Sequence, residues 1–188
     1  TCVDYINEHS NVGAIGCKTL LVDGTLDHNC KRGLPTPEAS FYYLLGLDKK
    51  HPDSPKYARY HATYLNDNEI NEVEVLSGAF MMLRASVIDE IGGFDEAFFM
   101  YCEDVDLCYR IAEAGYKLIY LPTAEITHLK GQSGLNTKNR VVIRHFHKSM
   151  LIFYNKHYRS KYNIFVTIAV NLGIHLKMFL SLIKSYLK

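Results

Sequence analysis

Apolar positions along the chain divide it into short strands and helices. "NVGAIGCKTLLVDGTL" (residues 11–26) predicts a short strand, a Gly turn and a second strand ending in the Asp23-Gly24 turn. Residues 31–72 show no period and hold Pro35, Pro37, Pro52 and Pro55, so a long irregular surface excursion is expected. "NEVEVLSGAFMMLR" resumes as a strand or bent strand pair, with Ser77-Gly78-Ala79 where backbone must approach something closely. "ASVIDEIGG" predicts a short helix stopped by Gly92-Gly93. From Glu103 to Ala114, Val105, Leu107, Cys108, Ile111 and Ala114 give a helical period that Gly115 ends. "YKLIYLP" predicts a strand ended by Pro122, and "AEITHLKGQS" a further short strand running into a Gly loop.

The C-terminal part is different. A helix with a basic face is predicted from Lys138 to about Tyr158. From Asn163 to Lys188 a second helix divides into two faces. Thr167, Asn171, His175, Lys177, Ser181, Lys184, Ser185 and Lys188 share one half of the wheel. Phe165, Ile168, Ala169, Leu172, Leu176, Phe179, Leu180, Ile183 and Leu187 share the other. Lys177 interrupts the run too early for a spanning helix, so the pattern predicts a helix lying in a membrane interface or packed on protein.

Charge strengthens that contrast. The net charge is only +1, yet residues 1–125 carry all 20 acids and 10 Lys/Arg, while residues 126–188 carry no acid and 11 Lys/Arg. Such a block suits a polyanionic neighbour, whether anionic membrane, nucleic acid or phosphorylated ligand, or is simply a solvated tail. With 48% apolar residues the chain has ample material for a core and is not a disordered segment. It opens on Thr1, as a processed chain or a fragment does, and no signal peptide is expected from its first residues. Cys2, Cys17, Cys30, Cys102 and Cys108 lack the paired spacing of a zinc site and predict reduced thiols.

The candidate chemistry lies in "EAFFMYCEDVDLCYRIAEAGY" (residues 96–116), where Glu103, Asp104 and Asp106 follow an aromatic run. Acids at a helix N-terminus are stabilised by free N–H groups and the macrodipole, which is a sufficient reason for their presence. Asp106 is four residues before Arg110 and is expected to pair with it. Glu103 and Asp104 fall in the first turn, where a carboxylate could take a proton from a hydroxyl nucleophile. His128 ends a strand and is either a metal ligand or an ordinary hydrogen-bonded imidazole. Lys130, Gln132 and Ser133 add donors in a Gly-containing loop. Adjacent carboxylates on one helix are poorly placed to flank a glycosidic bond, which disfavours a hydrolase.

Taken together, the SGA segment, the GGFDEAFFMYCEDVDLCYR block, the AGY-strand-Pro-Thr-Ala sequence and the His128-x-x-Gly131-x-Ser133 loop resemble family 2 glycosyltransferases of the rhamnosyltransferase-like group, over about residues 11–160. The resemblance implies the C-terminal half of a glycosyltransferase-A-type α/β fold, built on a mostly parallel sheet. Residues 1–135 would be the catalytic part and residues 136–188 a basic amphipathic helical extension. It implies an inverting transfer of a rhamnose-like or other hexose from a nucleotide-sugar to a glycan or lipid-linked hydroxyl, in cell-surface polysaccharide synthesis. Asp104 would be the general base and Glu103 would orient it or help bind acceptor. His128 would complete a site for a divalent metal (Mn or Mg). Ser77, Gly78, Ala79, Tyr101, Lys130 and Ser133 would face substrate.

The basic block and the amphipathic helix point to an anionic membrane surface as the partner of residues 136–188, and the tail fits an acceptor on the inner face of the cell membrane. No nucleic-acid partner is expected, and a homodimer is compatible with the sequence. The nucleotide-binding half of such enzymes, with its Asp-x-Asp-type metal motif, has no counterpart here, roughly a hundred residues by domain size. The chain alone is therefore expected to be inactive. The competing reading is a non-catalytic, membrane-associated docking module derived from such an enzyme.

Overall fold

A computed structural model describes residues 1–129 and 140–187. They form two compact units: Thr1–Phe94 with Asp104–Leu129, and Asp95–Glu103 with the described part of Lys130–Lys188.

In the first unit a four-stranded mixed sheet has the order β3-β6-β1-β5. Strand β1 (Val12–Leu20) runs parallel to β6 (Lys117–Thr127), the crossover pair of an α/β fold. β5 (Met82–Leu83) and β3 (Asn71–Val73) add antiparallel edges, so this part of the sheet has one parallel pair and two antiparallel ones. Helix α1 (Cys2–Glu8) packs on β1 through a core of Cys2, Ile6, Val12, Ile15, Ile119 and Leu121. Arg84 ties the same corner together, donating to the carbonyls of Val12, Ile6 and His9.

Two expectations about the strands are corrected. β1 does not turn at Gly13 or Gly16 but runs straight through both. Gly16 serves packing, since a Cβ there would come within 2.6 Å of Leu76 Cδ2. Pro122 does not end its strand either. β1 pairs Cys17 with Leu121 and Lys18 with Glu125, so residues 122–124 form a bulge where a missing N–H costs no ladder bond.

The 31–72 segment has more structure than its composition suggests. β2 (Lys31–Arg32) pairs antiparallel with β4 (Val75–Leu76) in a separate two-stranded sheet. α2 (Pro37–Leu44) is capped by Thr36, whose side chain accepts from Ala39 N, and α3 (Leu47–Lys50) follows. Side chains hold the rest. Tyr43 stacks on Tyr60 at 4.8 Å, and His61 meets both rings edge-on. Lys31, only 2% exposed, donates to the carbonyls of Ala62 (3.1 Å) and Leu65 (3.0 Å) and pairs with Asp67 at 2.9 Å.

Helices α4 (Ala85–Ile91) and α5 (Glu103–Glu113) form as predicted, with Gly92 and Gly115 at positive φ just beyond them. Asp106 is fully buried and accepts from Arg110 Nε at 2.8 Å, the expected i,i+4 pair. Arg110 also donates to the carbonyls of Ile91, Gly92 and Gly93, so this guanidinium caps α4 as well as neutralising Asp106.

In the second unit α6 (Arg140–His157) and α7 (Ile164–Tyr186) pack together. Lys138, where this helix was expected to begin, lies outside the described residues. Asn163 caps α7, accepting from Val166 N at 3.0 Å. Tyr154 bonds Thr167 at 3.0 Å, and the Arg140 guanidinium lies 3.4 Å from the Tyr186 ring centroid. Thr167, Asn171, Ile174 and Lys177 are at least half covered, whereas Phe165, Ile168, Leu172, Leu176, Phe179 and Leu180 are exposed. The helix thus covers much of its polar stripe, His175 and Lys184 excepted, and shows most of its apolar one. It is also long and apolar enough to cross a membrane by length and composition, so the single Lys177 does not exclude a span.

Candidate active site

The site is built around the start of α5. Strand β4 leads directly into a turn at residues 77–80, where Phe80 N donates to Ser77 O (3.2 Å) and Ala79 N to Ser77 Oγ (3.2 Å). Cys108, one turn into α5, fixes the helix against that strand: its Sγ accepts from Leu76 N at 3.3 Å. Burial pushes the Cys108 thiol up to about 12, so it is a packing group and not a nucleophile.

This arrangement brings Asp104 to the turn. Its Oδ2 accepts from Gly78 N at 3.3 Å and from Arg32 Nη2 at 3.0 Å, and its Oδ1 accepts from Val105 N at 2.8 Å. The side chain is 14% exposed and that of Arg32 15%. The close approach expected at Ser77-Gly78-Ala79 is therefore an approach to the carboxylate of Asp104. Gly78 is not there for space alone, because a Cβ would lie 3.6 Å from Asp104 Cβ, an ordinary contact.

Arg32 had no sequence signal, since nothing in Lys31-Arg32 marks a partner 72 positions away. Its neighbour Gly33 explains how the strand fits: a Cβ at Gly33 would stand 2.3 Å from the Arg59 carbonyl oxygen. Glu74 completes the support, accepting from Leu34 N at 2.9 Å and pairing with Arg59.

The other expected residues fall elsewhere. Glu103 opens α5, and its Oε2 is buried. Tyr101 belongs to the second unit, where its ring meets Phe146 edge-on at 5.3 Å. In that unit Ser149 donates to Met100 O at 2.8 Å, and Lys156 pairs with Asp95 at 2.6 Å. Tyr101 and Cys102 both have left-handed φ, 66° and 65°, two consecutive strained residues just before the Glu-Asp pair. Lys130 and Ser133 lie outside the described residues.

His128 Nδ1 is buried 3.6 Å from Oδ2 of Asp27, close enough for an ion pair when protonated but too far for a hydrogen bond. Asp27, 3% exposed, was not singled out from the sequence; its other oxygen accepts from the backbone and side chain of Asn29. Family 2 enzymes generally use a divalent metal. Among the described residues, however, no three His, Cys, Asp or Glu side chains group closely enough to hold one. The His128–Asp27 pair alone does not make the expected metal site.

A central mixed sheet with flanking helices and a C-terminal helix is consistent with part of a glycosyltransferase-A fold. Residues 3–148 match the family described as "Glycosyltransferase like family 2", and the chain belongs to that family of glycosyltransferases. It is 39% identical over 151 residues to an N-acetylglucosaminyl-diphospho-decaprenol L-rhamnosyltransferase of Mycobacterium tuberculosis, covering 80% of this chain and 48% of that protein. It is 37% identical over 86 residues to the rhamnosyltransferase WbbL of Escherichia coli, covering 46% of this chain and 29% of that one. A hexosyltransferase of low-salt glycan biosynthesis, Agl10 of Haloferax volcanii, is 32% identical over 76 residues, covering 40% of this chain and 21% of that protein. The chain spans about half the length, or less, of these relatives.

Proposed function

We propose that this chain is the acceptor-side, C-terminal portion of an inverting glycosyltransferase with Asp104 as its general base. The observation that carries the reading is the carboxylate of Asp104, fixed by Arg32, Gly78 and Val105 within a family 2 domain. In the reaction Asp104 accepts the proton of an acceptor hydroxyl. The hydroxyl oxygen bonds to the anomeric carbon from the face opposite the leaving group. The bond from that carbon to the diphosphate oxygen breaks, and the nucleoside diphosphate leaves with the electron pair. Glu103 assists on the acceptor side, and Ser77 and Ala79 contribute to binding substrate. The donor is a nucleotide-sugar with rhamnose or another hexose, and the acceptor a glycan or lipid-linked hydroxyl of a cell-surface polysaccharide. The Mycobacterium relative's name, which specifies a diphospho-decaprenol substrate, supports a lipid-linked acceptor. A divalent metal accompanies the donor, with ligands beyond the His128–Asp27 pair.

Residues 1–135 form the catalytic portion in this reading and residues 136–188 its membrane-facing extension. The outward stripe of α7, together with 11 Lys/Arg and no acid in residues 126–188, suits the anionic inner face of the cell membrane. The same stripe favours a second reading, a docking module without catalysis.

The test is Asp104→Asn in a transferase that joins this chain to a donor-binding half. Turnover should fall by about 10²–10⁴, the usual worth of general base catalysis, with donor affinity kept. Retained turnover removes Asp104 from the role, and turnover of a nucleotide-sugar by the 188-residue chain alone contradicts the division into halves. Flotation with anionic liposomes, with and without residues 163–188, tests the membrane face; equal flotation refutes it.

A further inference from the structure

Three donors from three separate segments converge on one carboxylate. Arg32 comes from β2, Gly78 from the turn after β4, and Val105 from α5 itself. An ionised carboxylate offers about four lone-pair sites, two on each oxygen. Both sites of Oδ2 are filled, by Arg32 and Gly78, and one site of Oδ1 by Val105, so among the described residues one site on Oδ1 is left. That vacant lone pair has a direction only because the other three are held.

The donors differ in kind. The two amides are backbone groups whose places follow from the helix start and the turn. Arg32 is a side chain, delivered by the β2–β4 ladder, in which Arg32 is opposite Val75 two residues before Ser77. Its guanidinium stays charged at every pH where proteins fold, so it can hold the carboxylate without competing for the transferred proton. It reaches the carboxylate through a single contact, Nη2 to Oδ2, and so holds that oxygen in place.

We propose that Arg32 is the positioning residue for the base, turning Asp104 so that the open lone pair of Oδ1 receives the acceptor hydroxyl proton. This rests on the reading of Asp104 as the base.

The test has two arms. In the 188-residue chain, Arg32→Ala should displace the amide resonances of Gly78 and Val105, and Arg32→Lys should displace them less. Unmoved resonances in Arg32→Ala overturn the inference without any assay of transfer. In a transferase that joins this chain to a donor-binding half, Arg32→Ala should lower kcat by about 10²-fold, the scale of a misplaced catalytic group, with donor KM unchanged. Arg32→Lys should keep part of that loss, and added guanidinium ion should restore part of the activity of Arg32→Ala. A raised donor KM with kcat unchanged makes Arg32 a donor ligand and overturns the proposal, as does full activity of Arg32→Ala beside an inactive Asp104→Asn. If Asp104→Asn is itself active, the base assignment fails, whatever the amide resonances show. Should Arg32→Ala not fold, Arg32→Met decides: wild-type kcat and unmoved resonances of Gly78 and Val105 refute the proposal.

Discussion

Replacing Lys31 by Met tests what holds the 31–72 segment to the sheet. The Lys31 ammonium is almost wholly enclosed, with two carbonyls and the Asp67 carboxylate as partners. Met keeps most of the aliphatic stem, so little apolar burial is lost. What disappears is the donor. Each buried carbonyl left unpaired costs about 1–3 kcal/mol. Asp67 is 43% exposed, so water can replace much of its pairing. Relief from desolvating the ammonium offsets part of the loss. The net expectation is a destabilisation of about 3 kcal/mol. At roughly 3 °C per kcal/mol for a chain of this size, Tm should fall by about 9 °C. Thermal unfolding followed by circular dichroism gives the shift, and amide exchange across residues 58–67 shows whether the loosening is local. A fall in Tm below about 2 °C, with exchange unchanged, would refute the view that Lys31 fastens this segment.

Gly33→Ala should destabilise by about 2 kcal/mol, within the usual range for overpacking, because its Cβ would meet the Arg59 carbonyl oxygen at 2.3 Å; an unchanged denaturant midpoint refutes the close approach. Burial holds the Cys17 thiol up at about 11 and Cys108 at about 12. Maleimide at neutral pH should therefore modify the less buried Cys102 well before either, and equal rates in the native chain would contradict their burial. Burial lowers the pKa of His61 below its ordinary 6.5, so the unfolded chain binds the extra proton first as pH falls. Stability from a neutral His61 is full above pH 6.5 and is lost as pH drops through the lower folded value. His61→Phe should flatten the difference between denaturation at neutral and mildly acidic pH, and an unchanged difference removes His61 as its source.

Elements that carry their own period and stop signals were legible from sequence. α4 and α5 end at Gly92 and Gly115, and the Asp106–Arg110 pair follows from helical spacing. α7 was legible as a two-faced helix, although only the fold shows the apolar face turned outward. The 31–72 segment was not legible, because its order comes from Lys31 and from rings far apart in sequence, such as Tyr43 with Tyr60. The sequence pattern breaks β6 at Pro122 because it does not show which residues of a strand need their N–H; the bulge opposite Cys17-Lys18 removes that need. Asp104 carries a motif signal in the sequence, whereas Arg32 and Asp27 carry none, since their partners are distant in sequence.

The left-handed pair Tyr101–Cys102 limits which sequences can keep this geometry. A β-branched residue at either position would meet its own backbone carbonyl, whereas Gly, Asn or Asp could adopt the same φ cheaply. Variation at these two sites should therefore follow backbone tolerance and not hydrophobicity. A library selected for correct folding alone should enrich Gly, Asn and Asp there and exclude Val and Ile. If Tyr101 survives selection only when transfer is also demanded, then its ring, and not its backbone, is what that demand preserves.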